Sequence, residues 1–213
     1  MAKIDNRSPL EVNVFKDPYE MANYIWNQIE LFNYRNIVIP GGNSIIPFYE
    51  KLNTCDLSNI EFYLCDERMA GIDNINSNQF QLKNSFNNLN VKTYGFYSEN
   101  YENVLNELKK KPFISILGVG SDGHFASLFP EDADFSDSKL QRTFQKDGEP
   151  YQRMSMGFDL ITQSSKIFLW IHGSSKHNII KMLEEMNLSI PICRLVNEYK
   201  SLNLICDYKF LIG

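Results

Sequence analysis

The chain has 213 residues, 43% of them hydrophobic and 22% charged, which is the balance of an ordinary folded domain with room for one sizeable core. That excludes a disordered tail, a fibre and a low-complexity scaffold. Lysine and arginine number 21 against 26 acidic residues, a net charge of −5: the wrong sign for a general nucleic-acid binder, but no bar to a local cationic pocket for one small anion.

In chain order, the pattern is short apolar strand, turn, then helix. Val12–Phe15 reads as an opening edge strand. Pro18 suits the first turn of a helix running from Tyr19 to about Phe32, with Met21, Ile25, Ile29 and Phe32 on one face. Asn36–Ile39 is a strand broken by Pro40-Gly41-Gly42, and a helix from Ser44 to Leu52 follows, Ser44 being a good N-cap type. Ile60–Cys65 is a strand; Ser77 to about Phe86 and Tyr101–Lys110 are helices. Phe113–Leu117 and Lys166–Ile171 are strands, Ser174–Met186 is a helix, and Leu202–Cys206 is the last strand. The polar, aperiodic stretch Glu131–Pro150 reads as a long loop within the domain.

Strands apolar on both faces, alternating with helices, predict an α/β fold: a Rossmann-like, mostly parallel sheet with helices on both faces, in a single domain spanning 1–213. The densest apolar runs, Phe113–Leu117 and Ile167–Ile171, fall far short of the ~20 residues of a spanning helix, and MAKIDNRSPLEV offers no signal-peptide core. The four cysteines have no CxxC spacing and read as reduced thiols of a cytoplasmic protein, which makes the sequons at Asn6 and Asn187 chance matches.

In such sheets ligands bind where strands end and helices begin, so the loops after Ile39, Cys65, Leu117 and Ile171 are where chemistry is sought. Gly41-Gly42-Asn43-Ser44 can bring backbone N–H groups close to a phosphate, or be an ordinary tight turn. Gly118–Gly123 fits GxGxxG, but the polar stretch after it holds no second strand for a dinucleotide site. Asp122-Gly123-His124 places one of only three histidines in a glycine-rich loop at a strand end, where it can act as a general base oriented by the aspartate. Asp66-Glu67-Arg68 reads as a charged turn or as an arginine meeting negative charge. Arg153 is a further candidate cation, and so is Lys176, set near a helix N-terminus where a cation is disfavoured unless it faces an anion. A metal centre is poorly supported: His172 and His177 lack the i, i+4 spacing of two ligands on one helix face. There is no GxSxG serine elbow.

Together these strings resemble a known family. LGVGSDGHFASLFP, from Leu117 to Pro130, closely resembles the signature of 6-phosphogluconolactonases. DERMAGIDNINSN from Asp66, PGGNSIIPFYEKL from Pro40, QRMSM from Gln152 and HGSSKHNIIKMLEE from His172 resemble further segments of that family in the same order. The resemblance implies a Rossmann-like fold, no cofactor and no obligatory metal, and 6-phospho-D-glucono-1,5-lactone of the oxidative pentose phosphate pathway as substrate. Carried onto this chain, it implies that His124 activates water, Asp122 orients it and Arg68 binds substrate or stabilises the oxyanion. Gly41, Gly42, Asn43 and Ser44 would form the phosphate loop, with Asp66 beside it and Arg153 and Lys176 as the cationic clamp. The expected partner is a small sugar-phosphate lactone, with no nucleic acid or membrane, for a monomer or weak homo-oligomer.

The chain departs from the pattern at Phe125, where a small threonine is usual, at Ile45, where proline is usual, and at Pro40, where serine is common. Two alternatives stand beside this reading. In the related glucosamine-6-phosphate deaminases the motif resembles D-G-H-I-A-F-N-E-P, with a glutamate five positions after the histidine; Phe129 stands there in this chain. A sugar-phosphate sensor that kept the pocket and lost turnover is the other.

Overall fold

The structure is a computed structural model and describes residues 10–86 and 91–212, so the sequon at Asn6 lies outside the described residues. In chain order the first half contains β1 (Glu11–Phe15), α1 (Pro18–Leu31), β2 (Asn36–Ile39), a 3-10 turn (Asn43–Ile45), α2 (Ile46–Leu52), β3 (Glu61–Leu64), β4 (Asp66–Arg68), α3 (Asn78–Ser85), β5 (Lys92–Tyr94) and α4 (Tyr101–Leu108). The second half contains β6 (Ile114–Gly118), β7 (Gln141–Phe144), β8 (Arg153–Met156), α5 (Phe158–Ile161), β9 (Lys166–Ile171), a 3-10 turn (Ser174–Lys176), α6 (Asn178–Glu185), α7 (Pro191–Glu198), β10 (Leu202–Asp207) and α8 (Tyr208–Ile212).

Seven strands form one parallel sheet in the order β1-β10-β9-β6-β2-β3-β5, with β1 at an edge as its sequence indicates. Alternate side chains feed two cores. Ile37, Ile39, Phe62, Leu64, Ile116 and Phe168 face α1, α2 and α3, while Val38, Tyr63, Leu117, Leu169 and Leu204 face α4 to α8. Burial on both faces is why these strands read as unbroken apolar runs. Asp17 caps α1, its carboxylate accepting from Tyr19 N (2.9 Å) and Glu20 N (3.0 Å), and the helix buries Met21, Ile25 and Ile29. Phe32 does not join that face: it caps the C-terminus and is exposed.

Strand order reverses between β2 and β6. The chain leaves β2 for β3 on one flank and leaves β6 for β9 on the other. Neighbouring strands whose connections depart in opposite directions leave a crevice at their carboxyl ends, and this is where open α/β sheets bind ligands. Here the Pro40–Ser44 and Val119–His124 loops flank it.

Four further sequence expectations need correction. Asp66-Glu67-Arg68 is not a loop but β4, a strand of a second, antiparallel sheet ordered β4-β8-β7. Glu131–Pro150 is not all loop, because Gln141–Phe144 forms β7 against β8. Its side chains carry no apolar alternation; Arg142 is tied instead to Asp132 (2.8 Å) and Asp137 (2.6 Å), a tertiary arrangement invisible to periodicity. Ser44 does not cap a helix: it lies inside a 3-10 turn, and α2 begins at Ile46 with Pro47 in its first turn. The Ser174–Met186 segment is likewise split into a 3-10 turn and α6.

Candidate active site

A cleft of about 330 Å³ opens at the β2/β6 crevice. All of the anticipated residues except Asp122 line it, and Asp122 hydrogen-bonds His124, which does.

The β2 loop is built to stay put. Gly41 lies so close to α3 that a Cβ there would meet Asn78 Cγ at 2.1 Å, and Gly42 takes a φ of +86° that L side chains avoid. The Tyr49 hydroxyl donates to the Pro40 carbonyl, Trp170 Nε1 donates to the Ser44 carbonyl (2.9 Å), and His172 Nε2 lies 3.1 Å from the same oxygen. His172 therefore braces the loop rather than ligating a metal, and His177 Nδ1 contacts the Phe210 carbonyl at 3.0 Å. Among the described residues no cluster of three or more His, Cys, Asp or Glu is placed to hold a metal ion.

The β6 loop carries the histidine. His124 Nδ1 lies 2.5 Å from Asp122 Oδ1, and the same oxygen accepts the His124 backbone N–H at 3.2 Å. Gly120 makes room for this: a Cβ there would lie 2.1 Å from the imidazole. Burial works to raise the Asp122 carboxyl, but hydrogen bonds from His124 and Lys146 hold it well below the usual carboxylate range. With Nδ1 donating to a carboxylate, Nε2 is the nitrogen free to take a proton. Phe125 turns away from the cleft and is fully buried beside Phe158. Phe129 packs on the histidine with ring centroids 4.7 Å apart.

Strand β4 supplies the opposite wall. Asp66 is buried, its Oδ2 accepting from Ser127 Oγ (2.8 Å) and its Oδ1 from Asn78 Nδ2 (3.1 Å), so it organises the wall while lining the cleft. Glu67 is fully buried on the other side of the strand. Burial pushes its carboxyl up, although Ser77 Oγ (3.0 Å) and the N–H groups of Arg68 (2.6 Å), Asn78 (2.7 Å) and Gln79 (2.8 Å) all donate to it. Arg68 faces the cleft, and its Nε is buried without a hydrogen-bond partner among the described residues. A guanidinium lining a cleft can meet an incoming anion.

Arg153 and Lys176 reach the cleft from β8 and from the turn after β9. Burial lowers the Lys176 ammonium from its ordinary value, opposed by the charge of Asp122. Arg153 is not free: Glu149, four residues earlier, pairs with it, Nε to Oε2 at 2.7 Å. Glu149 and Lys146 escaped the sequence reading. They sit in a polar stretch with no motif, and only the β7–β8 pairing brings their connection to the cleft.

A family model for glucosamine-6-phosphate isomerases/6-phosphogluconolactonase matches residues 19–202. The chain belongs to this family. A 6-phosphogluconolactonase of Helicobacter pylori is 30% identical over 181 residues, covering 78% of this chain and 80% of the relative. One from Borreliella burgdorferi is 28% identical over 222 residues, covering 93% and 94%. Among solved structures, a 6-phosphogluconolactonase from Shewanella baltica superposes with a TM-score of 0.79 at 20% identity, covering 93% of this chain and 98% of that one. A monomeric glucosamine-6-phosphate deaminase superposes with a TM-score of 0.77 at 20% identity, covering 94% and 98%. At such identities the structures speak for the fold, and both branches of the family share it.

Proposed function

We propose that the chain hydrolyses 6-phospho-D-glucono-1,5-lactone to 6-phospho-D-gluconate, in the oxidative pentose phosphate pathway of the cytoplasm. The observation that carries the reading is His124, its Nδ1 2.5 Å from Asp122, in a cleft that also holds Arg68, Arg153 and Lys176. Binding a phosphate needs cations and N–H groups; it does not need an oriented imidazole. The sensor alternative leaves that pair without a task.

In the proposed reaction the Gly41–Ser44 loop, Arg153 and Lys176 hold the phosphate, which lays the lactone carbonyl near His124. Nε2 removes a proton from water as the water oxygen attacks the carbonyl carbon. Negative charge collects on the former carbonyl oxygen, where the Arg68 guanidinium lining the cleft can meet it. Collapse of the tetrahedral intermediate breaks the ring C–O bond, and the imidazolium returns its proton to the departing ring oxygen. Asp122 keeps Nδ1 protonated throughout and steadies the imidazolium between the two transfers.

The deaminase alternative lacks a group. Phe129 occupies the position five residues after His124, and its ring lies against the imidazole. A phenyl ring cannot exchange a proton with histidine or assist opening of an amino sugar.

The test is acid release from freshly generated lactone, followed against the spontaneous background, for wild type and for His124→Ala. General-base action is worth about 10²–10⁴-fold, so the variant should lose at least about a hundredfold in kcat. A loss below about tenfold removes His124 from the role. Absence of acceleration by wild type, with 6-phosphogluconate still bound, favours the sensor.

A further inference from the structure

The connection between β7 and β8 enters the site at two points from a single turn. The Lys146 carbonyl accepts the Glu149 N–H at 3.1 Å, and Gly148 sits at a φ of +77° between them. Glu149 reaches Arg153, while Lys146 reaches the other oxygen of the dyad carboxylate, its Nζ 3.1 Å from Asp122 Oδ2. Lys146 Nζ also lies over the Phe129 ring, 4.3 Å from its centroid, and that ring packs on the imidazole. The lysine side chain is only 23% exposed. Asp122 is thus gripped at both oxygens, by His124 at Oδ1 and by Lys146 at Oδ2.

We propose that Lys146 is a positioning residue for the Asp122–His124 pair: it fixes the carboxylate so that Oδ1 faces Nδ1. This rests on the reading of His124 as general base. A carboxylate can turn about its Cβ–Cγ bond, and a charge-assisted hydrogen bond on the far oxygen restrains that turn and leaves Oδ1 to the imidazole.

The surrounding charges do not duplicate this. Lys176, from the turn after β9, acts on Asp122 through space without a hydrogen bond to it. Strand β4 contributes Asp66 and Arg68 to the cleft; Arg153 enters from β8 already paired with Glu149. Glu131 stands 4.0 Å from Lys146 Nζ, on the solvent side. Lys146 is the cation that contacts the dyad directly, among the described residues.

The experiment is NMR of the His124 imidazole in the ligand-free protein at one fixed pH, its resonances identified by loss in His124→Gln, for wild type, Lys146→Met and Lys146→Arg, beside steady-state assays of the same variants. Methionine keeps an unbranched stem over Phe129 without the charge. The downfield Nδ1–H proton of the bond to Asp122 should weaken or move upfield in Lys146→Met and return with arginine, and kcat should fall several-fold with KM little changed. An Nδ1–H signal unmoved in Lys146→Met, or one that arginine does not restore, overturns the proposal even if activity falls. Lys146→Gln replaces the methionine variant if that one does not fold. Because the spectrum needs no turnover, failure of the lactonase reading shows in the acid-release assay and leaves this result interpretable.

Discussion

Asp122 is a half-buried carboxylate whose ionised form is held by a histidine and a lysine, and this has a consequence for stability as well as for catalysis. Its carboxyl titrates below the unfolded value, which is about 3.9. Its contribution to stability is therefore present above that value and is lost as pH falls through the folded one. Asp122→Asn should be less stable than wild type to urea at pH 6, and the gap should narrow below about pH 4; a gap constant with pH would show that the charge is not its source. The same substitution leaves Nδ1 without an ionised partner and should lower kcat. At Lys176 the expectation differs in kind. Burial disfavours its charge, a cost that an incoming dianion would offset. Lys176→Ala should raise KM several-fold and change kcat little, by steady-state assay; a fall in kcat alone would remove it from the phosphate clamp.

At the scale of elements, the strands that build the main sheet announce themselves and those of the small sheet do not. β2, β6 and β9 are buried on both faces, so their apolar runs can be read from the chain alone. β4 is three charged residues, and it is a strand because its neighbours make it one: Cys65 N bonds Ile39 O at 2.9 Å, Met156 N bonds Cys65 O at 2.7 Å, and Glu67 is satisfied by the start of α3. No periodicity signals such an element. The loop that carries His124 was legible for the opposite reason: glycines, an aspartate and a histidine directly after an apolar strand are a local pattern. Glu149 reaches the cleft and Lys146 reaches Asp122 from the connection between β7 and β8, so nothing local marks them. Glu67 supplies the test of the β4–α3 junction. Glu67→Ala would strand the Ser77 hydroxyl and the amides of Arg68, Asn78 and Gln79, at about 1–3 kcal/mol for each group left unpaired. The urea midpoint should fall sharply, and Arg68 should lose its placement with it. A variant of near wild-type stability would mean that water or rearrangement replaces the carboxylate.

At the scale of the molecule, the cleft is where separately supported parts meet. The Pro40–Ser44 loop is tied to α2 through Tyr49 and to the end of β9 through Trp170 and His172. Arg68 comes from the small sheet, Arg153 from its middle strand, and Lys176 from beyond β9. An anion that touches all of these cross-links the two sheets and the loops on both sides of the β2/β6 crevice. Binding that is confined to the native state stabilises it by mass action, about 2.7 kcal/mol at a hundred times Kd. For a chain of this size each kcal/mol is worth roughly 2–4 °C, so saturating 6-phosphogluconate should raise Tm by roughly 5–10 °C. The rise should vanish in the double variant Arg153→Ala/Lys176→Ala and persist in His124→Ala, since the imidazole is assigned to chemistry rather than to holding the phosphate. A rise that survives loss of both cations would place the anion elsewhere. Loss of the rise in His124→Ala alone would make the histidine a binding group and weaken its assignment as base.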